Sequence, residues 1–239
     1  AWNRKLPPVY PPSRYGHAMA YDSAHGVVVL FGGSGRSGYL NDTWTYNVST
    51  DTWIDKNPFP APPARLYPTM TYDRQNGVTV LFGGENITSF NDTWTYDAGS
   101  NQWTQRFPSL SPPARNAHAM AYDPKSGEMV LFGGTNETFK YFHTDTWTYN
   151  VTDNLWKKRS PATSPPGRAW PAMACDEAQD ATLMFGGRDT DYRCDTWSYD
   201  VTGDAWTLKN LPNHPSSRMS AAMVFDRQNR AVVLFGGWD

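Results

Sequence analysis

The run of residues 27–33 reads Val-Val-Val-Leu-Phe-Gly-Gly, an apolar segment closed by two glycines. Its last three residues recur along the chain, with the phenylalanine at Phe31, Phe82, Phe132, Phe185 and Phe235. The successive steps are 51, 50, 53 and 50 residues, so the chain carries a repeat of about fifty residues. A short apolar run bounded by glycines is typical of a β-strand that is buried on both faces.

Two further markers keep the same step. The motif Asp-Thr-Trp-(Thr/Ser)-Tyr is centred on Trp44, Trp94, Trp147 and Trp197, and a second tryptophan follows nine residues later, at Trp53, Trp103, Trp156 and Trp206. An arginine closes each proline-rich stretch, at Arg14, Arg65, Arg115, Arg168 and Arg218. Three markers that share one step indicate that the repeat organises the whole chain.

Each unit predicts four strands. In the first unit they lie over residues 17–21, 27–31 and 43–46 and around Trp53. The second is a continuous apolar run, and the third contains β-branched and aromatic residues. The proline-rich residues 57–63 cannot enter a central ladder and are predicted to link units. No segment has a helical period, so the sequence predicts an all-β protein.

This pattern resembles the Kelch repeat over nearly the whole chain: an apolar strand ending in Gly-Gly, a loop, Asn-Asp-x-Trp-x-Tyr and a later tryptophan. The resemblance implies a Kelch-type β-propeller, in which four-stranded blades stack because one blade cannot bury both of its faces. We expect one domain over residues 1–239, with five repeat units at residues 14–56, 65–106, 115–159, 168–209 and 218–239.

The two ends of the chain match parts of one unit. Trp2-Asn3-Arg4-Lys5 corresponds to Trp206-Thr207-Leu208-Lys209, and residues 223–237 correspond to a first and a second strand. We therefore expect residues 1–5 to join residues 218–239 in a composite closing blade that lacks a third strand. The alternative is a fragment of a six- or seven-bladed propeller, which the Kelch family more often forms.

Composition excludes several function classes. The formal net charge of -2 provides no basic surface for nucleic acid, and no apolar run approaches the ~20 residues of a membrane span. The sequence contains no nucleophile elbow, phosphate loop or metal-ligand spacing, so we expect no metal, no cofactor and no catalytic residue.

We predict a binding module for a protein or a glycan. A carbohydrate-active enzyme, of the oxidase or sugar-epimerase kind that the resemblance allows, and an intracellular adaptor are the alternatives.

The longest connections are predicted to collect at one end of the blades. In an up-and-down sheet the loop from the second to the third strand lies where the first strand starts, so residues 34–41, 85–91, 135–144 and 188–194 share that end. The five arginines also lie there. In one interpretation they form a collar that binds carboxylates. In the other they pair with aspartates at the start of the third strands and tie blade to blade: Asp42, Asp92, Asp145 and Asp195. The second interpretation is favoured, because a residue that recurs in every repeat usually has a structural role in the repeat.

Residues that break the repeat are better candidates for ligand binding. Tyr67 and Trp170 are large where the other units have small residues, and an exposed aromatic ring suits a sugar or a peptide. Lys140, Tyr141 and His143 lie in the longest and most aromatic loop. The aromatic residues just before the third strands are expected to cover the blade core instead: Tyr39, Phe90, Phe142 and Tyr192.

The remaining predictions concern chemistry at cysteine and asparagine. Cys175 and Cys194 fall at opposite ends of one predicted sheet, so we expect no disulfide. Glycosylation sequons occur at Asn86 and Asn136, in variable loops, and at Asn41, Asn47, Asn91 and Asn150, in repeated motifs. Together with scarce lysine, they predict a secreted or cell-surface glycoprotein.

Overall fold

A computed structural model describes residues 4–136 and 141–239, and these residues form twenty β-strands and no helix. The chain divides into two compact units, Ala1–Phe107 and Pro108–Asp239. Each predicted repeat that is complete in sequence folds as one antiparallel four-stranded sheet, which we call a blade.

The first unit contains two blades. The first blade has the order β1 (Ala18–Asp22), β2 (Val27–Phe31), β5 (Thr43–Asn47) and β6 (Thr52–Asp55). Two short strands, β3 (Ser34–Gly35) and β4 (Gly38–Tyr39), form a hairpin within the loop between β2 and β5. The second blade consists of β7 (Thr69–Asp73), β8 (Val78–Phe82), β9 (Thr93–Asp97) and β10 (Gln102–Arg106).

The second unit contains two blades and a hairpin. The third blade is formed by β11 (Ala119–Asp123), β12 (Glu128–Phe132), β13 (Thr146–Asn150) and β14 (Leu155–Lys158). The fourth blade is formed by β15 (Ala172–Asp176), β16 (Ala181–Phe185), β17 (Thr196–Asp200) and β18 (Ala205–Lys209). The strands β19 (Ala222–Asp226) and β20 (Ala231–Phe235) pair with each other as a two-stranded sheet.

One register recurs in every blade. Leu30 lies opposite Trp44 across β2 and β5, and the same pairing occurs at Leu81↔Trp94, Leu131↔Trp147 and Met184↔Trp197. The second strands form the core, since Val29, Phe31 and their equivalents in the next two blades are fully buried. The glycine pair lets the chain turn after this strand: Gly33 has a φ of 93°, and a Cβ there would lie 2.8 Å from the Tyr15 carbonyl oxygen.

The tryptophan of the fourth strand connects neighbouring blades within each unit. The Trp103 indole Nε1 donates a hydrogen bond of 2.9 Å to Thr43 Oγ1 of the preceding blade, and its ring meets Phe31 edge-on with centroids 5.1 Å apart. Trp206 repeats both contacts, with Thr146 at 2.9 Å and Phe132 at 5.2 Å. The second tryptophan of the repeat is therefore a packing residue.

The composite closing blade stays a prediction. Residues 4 and 5 belong to no strand, and residues 1–3, which include Trp2, lie outside the described part of the chain. The Lys5 ammonium lies 3.7 Å from the Asp51 carboxylate within the first unit. The alternative, a fragment of a longer propeller, also remains open.

Candidate functional site

The repeat arginines are held at the loop end of each blade. Arg14 donates from Nη1 to the Gly32 carbonyl at 3.0 Å and to Asp42 Oδ1 at 2.6 Å, and from Nη2 to Asp42 Oδ2 at 2.7 Å. The other three complete repeats have the same arrangement, with the pairs Arg65–Asp92, Arg115–Asp145 and Arg168–Asp195. A bidentate pair of this kind is among the strongest hydrogen-bonded interactions in proteins.

The aspartate of the motif has a second partner, which explains the Asp-x-Trp spacing. Side chains two positions apart in an extended segment point the same way, so the Trp147 indole Nε1 reaches Asp145 Oδ2 at 2.7 Å. All four motif tryptophans make this bond at 2.7 Å. Burial by itself would raise the pKa of Asp145, but the hydrogen bonds and charge of Arg115, aided by Trp147, outweigh it and lower the pKa to about 2.

These ion pairs lie within a repeat, whereas the favoured interpretation had them join one blade to the next. The connection between blades runs instead through the backbone: Gly33 N donates to the Arg65 carbonyl at 2.8 Å, and Gly134 N and Gly187 N donate to the carbonyls of Arg168 and Arg218 at the same distance. The side chains of Arg65, Arg115 and Arg168 are fully buried and bound to these internal partners. They therefore present no guanidinium surface to a ligand.

The position two residues after each arginine has a left-handed backbone that sequence reasoning missed. Its φ is 63° at Gly16, 52° at Tyr67, 54° at Ala117, 53° at Trp170 and 55° at Ser220. Hydrogen bonds between blades run through this position, since Tyr67 N donates to the Gly16 carbonyl at 2.8 Å and Trp170 N to the Ala117 carbonyl at 2.7 Å. A Cβ at position 16 would lie 2.3 Å from Leu66 Cδ1 and 2.9 Å from the Tyr67 ring, so a larger residue there would displace these side chains.

Three tyrosines form one surface at the loop end of the first unit, and we call them the tyrosine row: Tyr15, Tyr39 and Tyr67. Tyr15 bridges to Ser34, and Ser34 pairs with Tyr39 across the β3–β4 hairpin. Residues directly opposite each other in antiparallel strands share a face, so Tyr15 and Tyr39 flank the small Ser34 on one side. The Tyr67 ring meets the Tyr15 ring edge-on at 6.4 Å.

The exposure of the tyrosine row differs from the prediction. Tyr15, which no sequence argument singled out, is 59% exposed, and Tyr39, expected to cover the core, is 45% exposed. Tyr67 is half-buried, and burial, followed by the nearby Tyr15 and Glu85, raises its pKa. The only sequence signal for Tyr15 is that its repeat position varies, with Leu66, Asn116, Ala169 and Met219 as equivalents.

The other aromatic residues before the third strands have different roles. Phe90 lies under the Arg65 guanidinium, which is 4.1 Å from the ring centroid and so shielded from solvent. Tyr192 was also expected to cover the core, but it is 39% exposed, with the Arg188 guanidinium 5.5 Å from its ring centroid. Phe142 is half-buried, as is Trp170.

In the longest loop, Lys140 lies outside the described residues, Tyr141 is 56% exposed and His143 is buried beneath it. The Tyr141 and His143 rings meet edge-on at 5.0 Å. Burial and the positive charge of Arg115 lower the pKa of His143 to about 4, so its imidazole is neutral at physiological pH. Of this predicted group, Tyr141 lies at the surface and His143 packs against it from the interior.

Within the described residues there is no cluster of three or more metal-ligating side chains, and no helix is long and apolar enough to cross a membrane. A cavity of about 500 Å³ in the second unit is lined by Thr196, Leu208 and their neighbours. Thr196 corresponds to Thr43 and Thr146, which accept an indole N–H from a following blade, so this cavity corresponds to a blade-packing surface. Cys175 in β15 and Cys194 before β17 form no disulfide.

The sequon asparagines fall into two groups. Asn41 and Asn91 are exposed. The others are half-buried. Two of them make local hydrogen bonds, since Asn47 Oδ1 accepts from Ser49 N and Asn150 Oδ1 accepts from Asp153 N. Asn86 Nδ2 donates instead to the carbonyl of Ala64, which lies 22 residues earlier. These bonds give Asn47 and Asn150 a structural role in their turns.

Comparison with known proteins agrees with this architecture. The family model of the attractin/LZTR1 β-propeller matches residues 2–239. Mei4-dependent protein 6 of Schizosaccharomyces pombe is 33% identical over 70 residues, which are 29% of this chain and 10% of the yeast protein. The chain thus matches about a tenth of the length of that relative. The repeat, the four-stranded blades and the family match agree, and the chain belongs to the attractin/LZTR1 family of Kelch-type β-propellers.

Proposed function

We propose that this propeller is a non-catalytic recognition module that binds a protein ligand through the loop end of its first unit, with the tyrosine row at the centre of the contact. The observation that carries the proposal is the exposure of Tyr15 and Tyr39 on either side of Ser34. Tyrosine is enriched at protein interfaces because it provides a large rigid contact area and a polar tip.

The backbone beneath the row supports preorganised binding. Tyr15 N and Ser34 N exchange hydrogen bonds with each other's carbonyls at 3.0 and 2.9 Å, and Leu40 N donates to the Gly33 carbonyl at 2.9 Å. A surface that is ordered before the ligand arrives loses little entropy on binding. Family membership supports the same class of function, since blade repeats provide a rigid scaffold for variable loops.

The charge pattern favours an uncharged contact over an anion-binding collar. Four of the five repeat arginines, all except Arg218, have their guanidinium groups bound to an aspartate of the same repeat. A ligand carboxylate would have to displace the aspartate from its arginine. Breaking that internal bidentate pair loses more free energy than a solvent-exposed ion pair with the ligand would gain.

The test is selection of peptides from a random displayed library on the immobilised chain, followed by affinity measurement of a selected peptide. We expect Tyr15→Ser and Tyr39→Ser each to weaken binding on the order of tenfold or more, because aromatic anchors dominate interface energies. Tyr21→Ser is the matched control, since Tyr21 is 55% exposed but lies near the opposite end of β1.

Equal losses from Tyr15→Ser and Tyr21→Ser would refute the proposal. A parallel screen of neutral and carboxylated oligosaccharides tests the glycan alternative, and turnover of any sugar in that screen would favour an enzyme.

An extracellular location is part of the proposal. It predicts added glycan mass at the exposed Asn41 or Asn91 after expression in a secreting eukaryotic cell.

A further inference from the structure

We propose that the loop end of the fourth blade binds an acidic side chain of a protein ligand through Arg188, a site that rests on the proposed function for its class of partner and adds a charged contact. Arg188 is not one of the repeat arginines. It follows the glycine pair of the fourth repeat, where the other complete repeats have Ser34, Glu85 and Thr135.

Three residues lie side by side across the loop end of every complete blade. In the first blade, Ser34 lies between Tyr15 and Tyr39. In the fourth blade the same antiparallel bridges join Arg188 to Ala169 on one side and to Tyr192 on the other. Residues opposite each other in antiparallel strands share a face, so the fourth blade repeats the geometry of the tyrosine row with an arginine at its centre.

Arg188 differs from its repeat equivalents in exposure. The equivalents in the first three blades are buried, whereas Arg188 is exposed. Its guanidinium carbon lies 5.5 Å from the centroid of the Tyr192 ring, which is itself accessible to solvent. An aromatic ring attracts a guanidinium to its face and leaves the N–H edge of the group for a carboxylate.

The backbone under Arg188 is ordered before any ligand arrives. Arg188 N and Ala169 N each donate a hydrogen bond to the carbonyl of the other residue at 2.8 Å. At the far end of the loop, Arg193 N donates to the Gly187 carbonyl at 2.9 Å. A cation on a fixed loop loses little entropy when it binds.

The carboxylates of the same loop are bound to other groups. Asp189 Oδ1 accepts from Arg193 Nε at 3.1 Å, and Asp189 Oδ2 accepts from Arg193 Nη2. Asp191 Oδ2 accepts from Thr190 Oγ1 at 3.3 Å.

Arg188 therefore differs in charge balance from the repeat arginine of its own blade. Across residues 4–136 and 141–239, which include the whole fourth repeat, no carboxylate forms an ion pair with Arg188. A ligand carboxylate at Arg188 displaces no internal partner, whereas at Arg168 it would have to displace Asp195.

The probe is a capped tripeptide, Ala-Glu-Ala, titrated into the 239-residue chain while the arginine Nε–H signals are followed by NMR. We expect a saturable shift at Arg188, with an affinity about fivefold or more above that at Arg230, because the Tyr192 ring holds the Arg188 guanidinium in place. Arg230 is an exposed arginine of the β19–β20 turn. The neutral match, capped Ala-Gln-Ala, should cause no saturable shift at Arg188.

The matched chain variants are Tyr192→Leu and Tyr141→Leu. Tyr192→Leu should lower the affinity at Arg188 to that at Arg230. Tyr141→Leu, which changes an exposed tyrosine in the equivalent loop of the third blade, should leave it unchanged. Equal affinities at Arg188 and Arg230, equal shifts from the two tripeptides, or no effect of Tyr192→Leu would overturn the inference.

The tripeptide has no aromatic anchor, so its binding does not depend on the tyrosine row and should persist in Tyr15→Ser. Saturable binding at Arg188 together with selected peptides that ignore Tyr15→Ser would refute the tyrosine row and support the Arg188 site. Selected peptides that need Tyr15, with no tripeptide binding at Arg188, would refute the Arg188 site alone.

Discussion

The Arg115–Asp145 pair allows the clearest test of how the blades are held together. Asp145→Asn preserves the size of the side chain but replaces one carboxylate oxygen by an amide N–H₂. That oxygen accepts from Arg115 Nη2 at 2.8 Å and from Trp147 Nε1 at 2.7 Å. In the variant the amide N–H₂ faces these two N–H groups, and neither hydrogen bond can form because an amide nitrogen does not accept. Since Arg115 is fully buried, its charge is left without a counterion.

The size of the effect follows from two estimates. The pKa of Asp145 is lowered from 3.8 to about 2, and a shift of this size corresponds to about 2 kcal/mol of folding free energy at neutral pH. Asp145→Asn should cost more than protonation does, since the hydroxyl oxygen of a protonated aspartate can still accept a hydrogen bond whereas an amide nitrogen cannot. Removing one partner of a buried ion pair costs about 3–5 kcal/mol, and we expect the variant to lie in that range.

The assay is urea unfolding of the 239-residue chain at several pH values. A group whose pKa is lowered in the folded state contributes stability above its unfolded pKa, and that contribution is lost as pH falls through the folded value. The difference between wild type and Asp145→Asn should therefore be largest at neutral pH and shrink as pH falls from about 4 toward 2.

The matched control is Asp180→Asn. Asp180 pairs with Lys125 at 3.2 Å, but both side chains are 54% exposed, so the loss should stay within about 1 kcal/mol. If Asp145→Asn costs no more than Asp180→Asn, the ion pair does not stabilise the blade and the reasoning is wrong.

Two further predictions concern the same framework. His143 has a folded pKa of about 4, below the ordinary 6.5, so it should cost the chain about 3 kcal/mol of unfolding free energy as pH falls from 6.5 to 4. In urea unfolding, His143→Gln should remove this part of the loss and leave the part that comes from His17, whose pKa is lowered by burial and by Arg14. Trp206→Phe should destabilise the second unit, because it removes the indole hydrogen bond to Thr146. A double-mutant cycle with Thr146→Val should yield a coupling of about 1 kcal/mol in the free energy of unfolding. If the losses of the two single variants simply add up in the double variant, the contact does not contribute to stability.

The repeat step allowed much of the fold to be predicted. The apolar run at residues 27–31 is β2, and the segment predicted over residues 43–46 is β5 at Thr43–Asn47. These predictions succeed because the second strands of the complete blades are largely buried, and a buried strand needs an apolar run. In β20 the corresponding run is exposed or half-buried at every position. The proline-rich stretches are linkers because proline cannot donate to a ladder.

The candidate site was less predictable. Gly16, Tyr67, Ala117, Trp170 and Ser220 share a left-handed backbone although they share no side-chain property, and hydrogen bonds between blades run through these positions. Tyr15 is exposed although its backbone pairs with the buried Ser34. Both features involve contacts between segments far apart in sequence, and a local pattern does not record them.

The arginine explains why loop variation does not disturb the blades. In all four complete repeats its Nη1 binds the glycine carbonyl 18 residues later, where the variable loop begins, and its two Nη groups bind the aspartate where that loop ends. The first separation is constant, whereas the separation from arginine to aspartate varies from 27 to 30 residues. One guanidinium therefore holds both ends of a loop whatever its length, and the residues between can change without moving the strands. For this reason the recurring arginines stabilise the scaffold, and the proposed function assigns recognition to irregular residues such as Tyr15 and Tyr39.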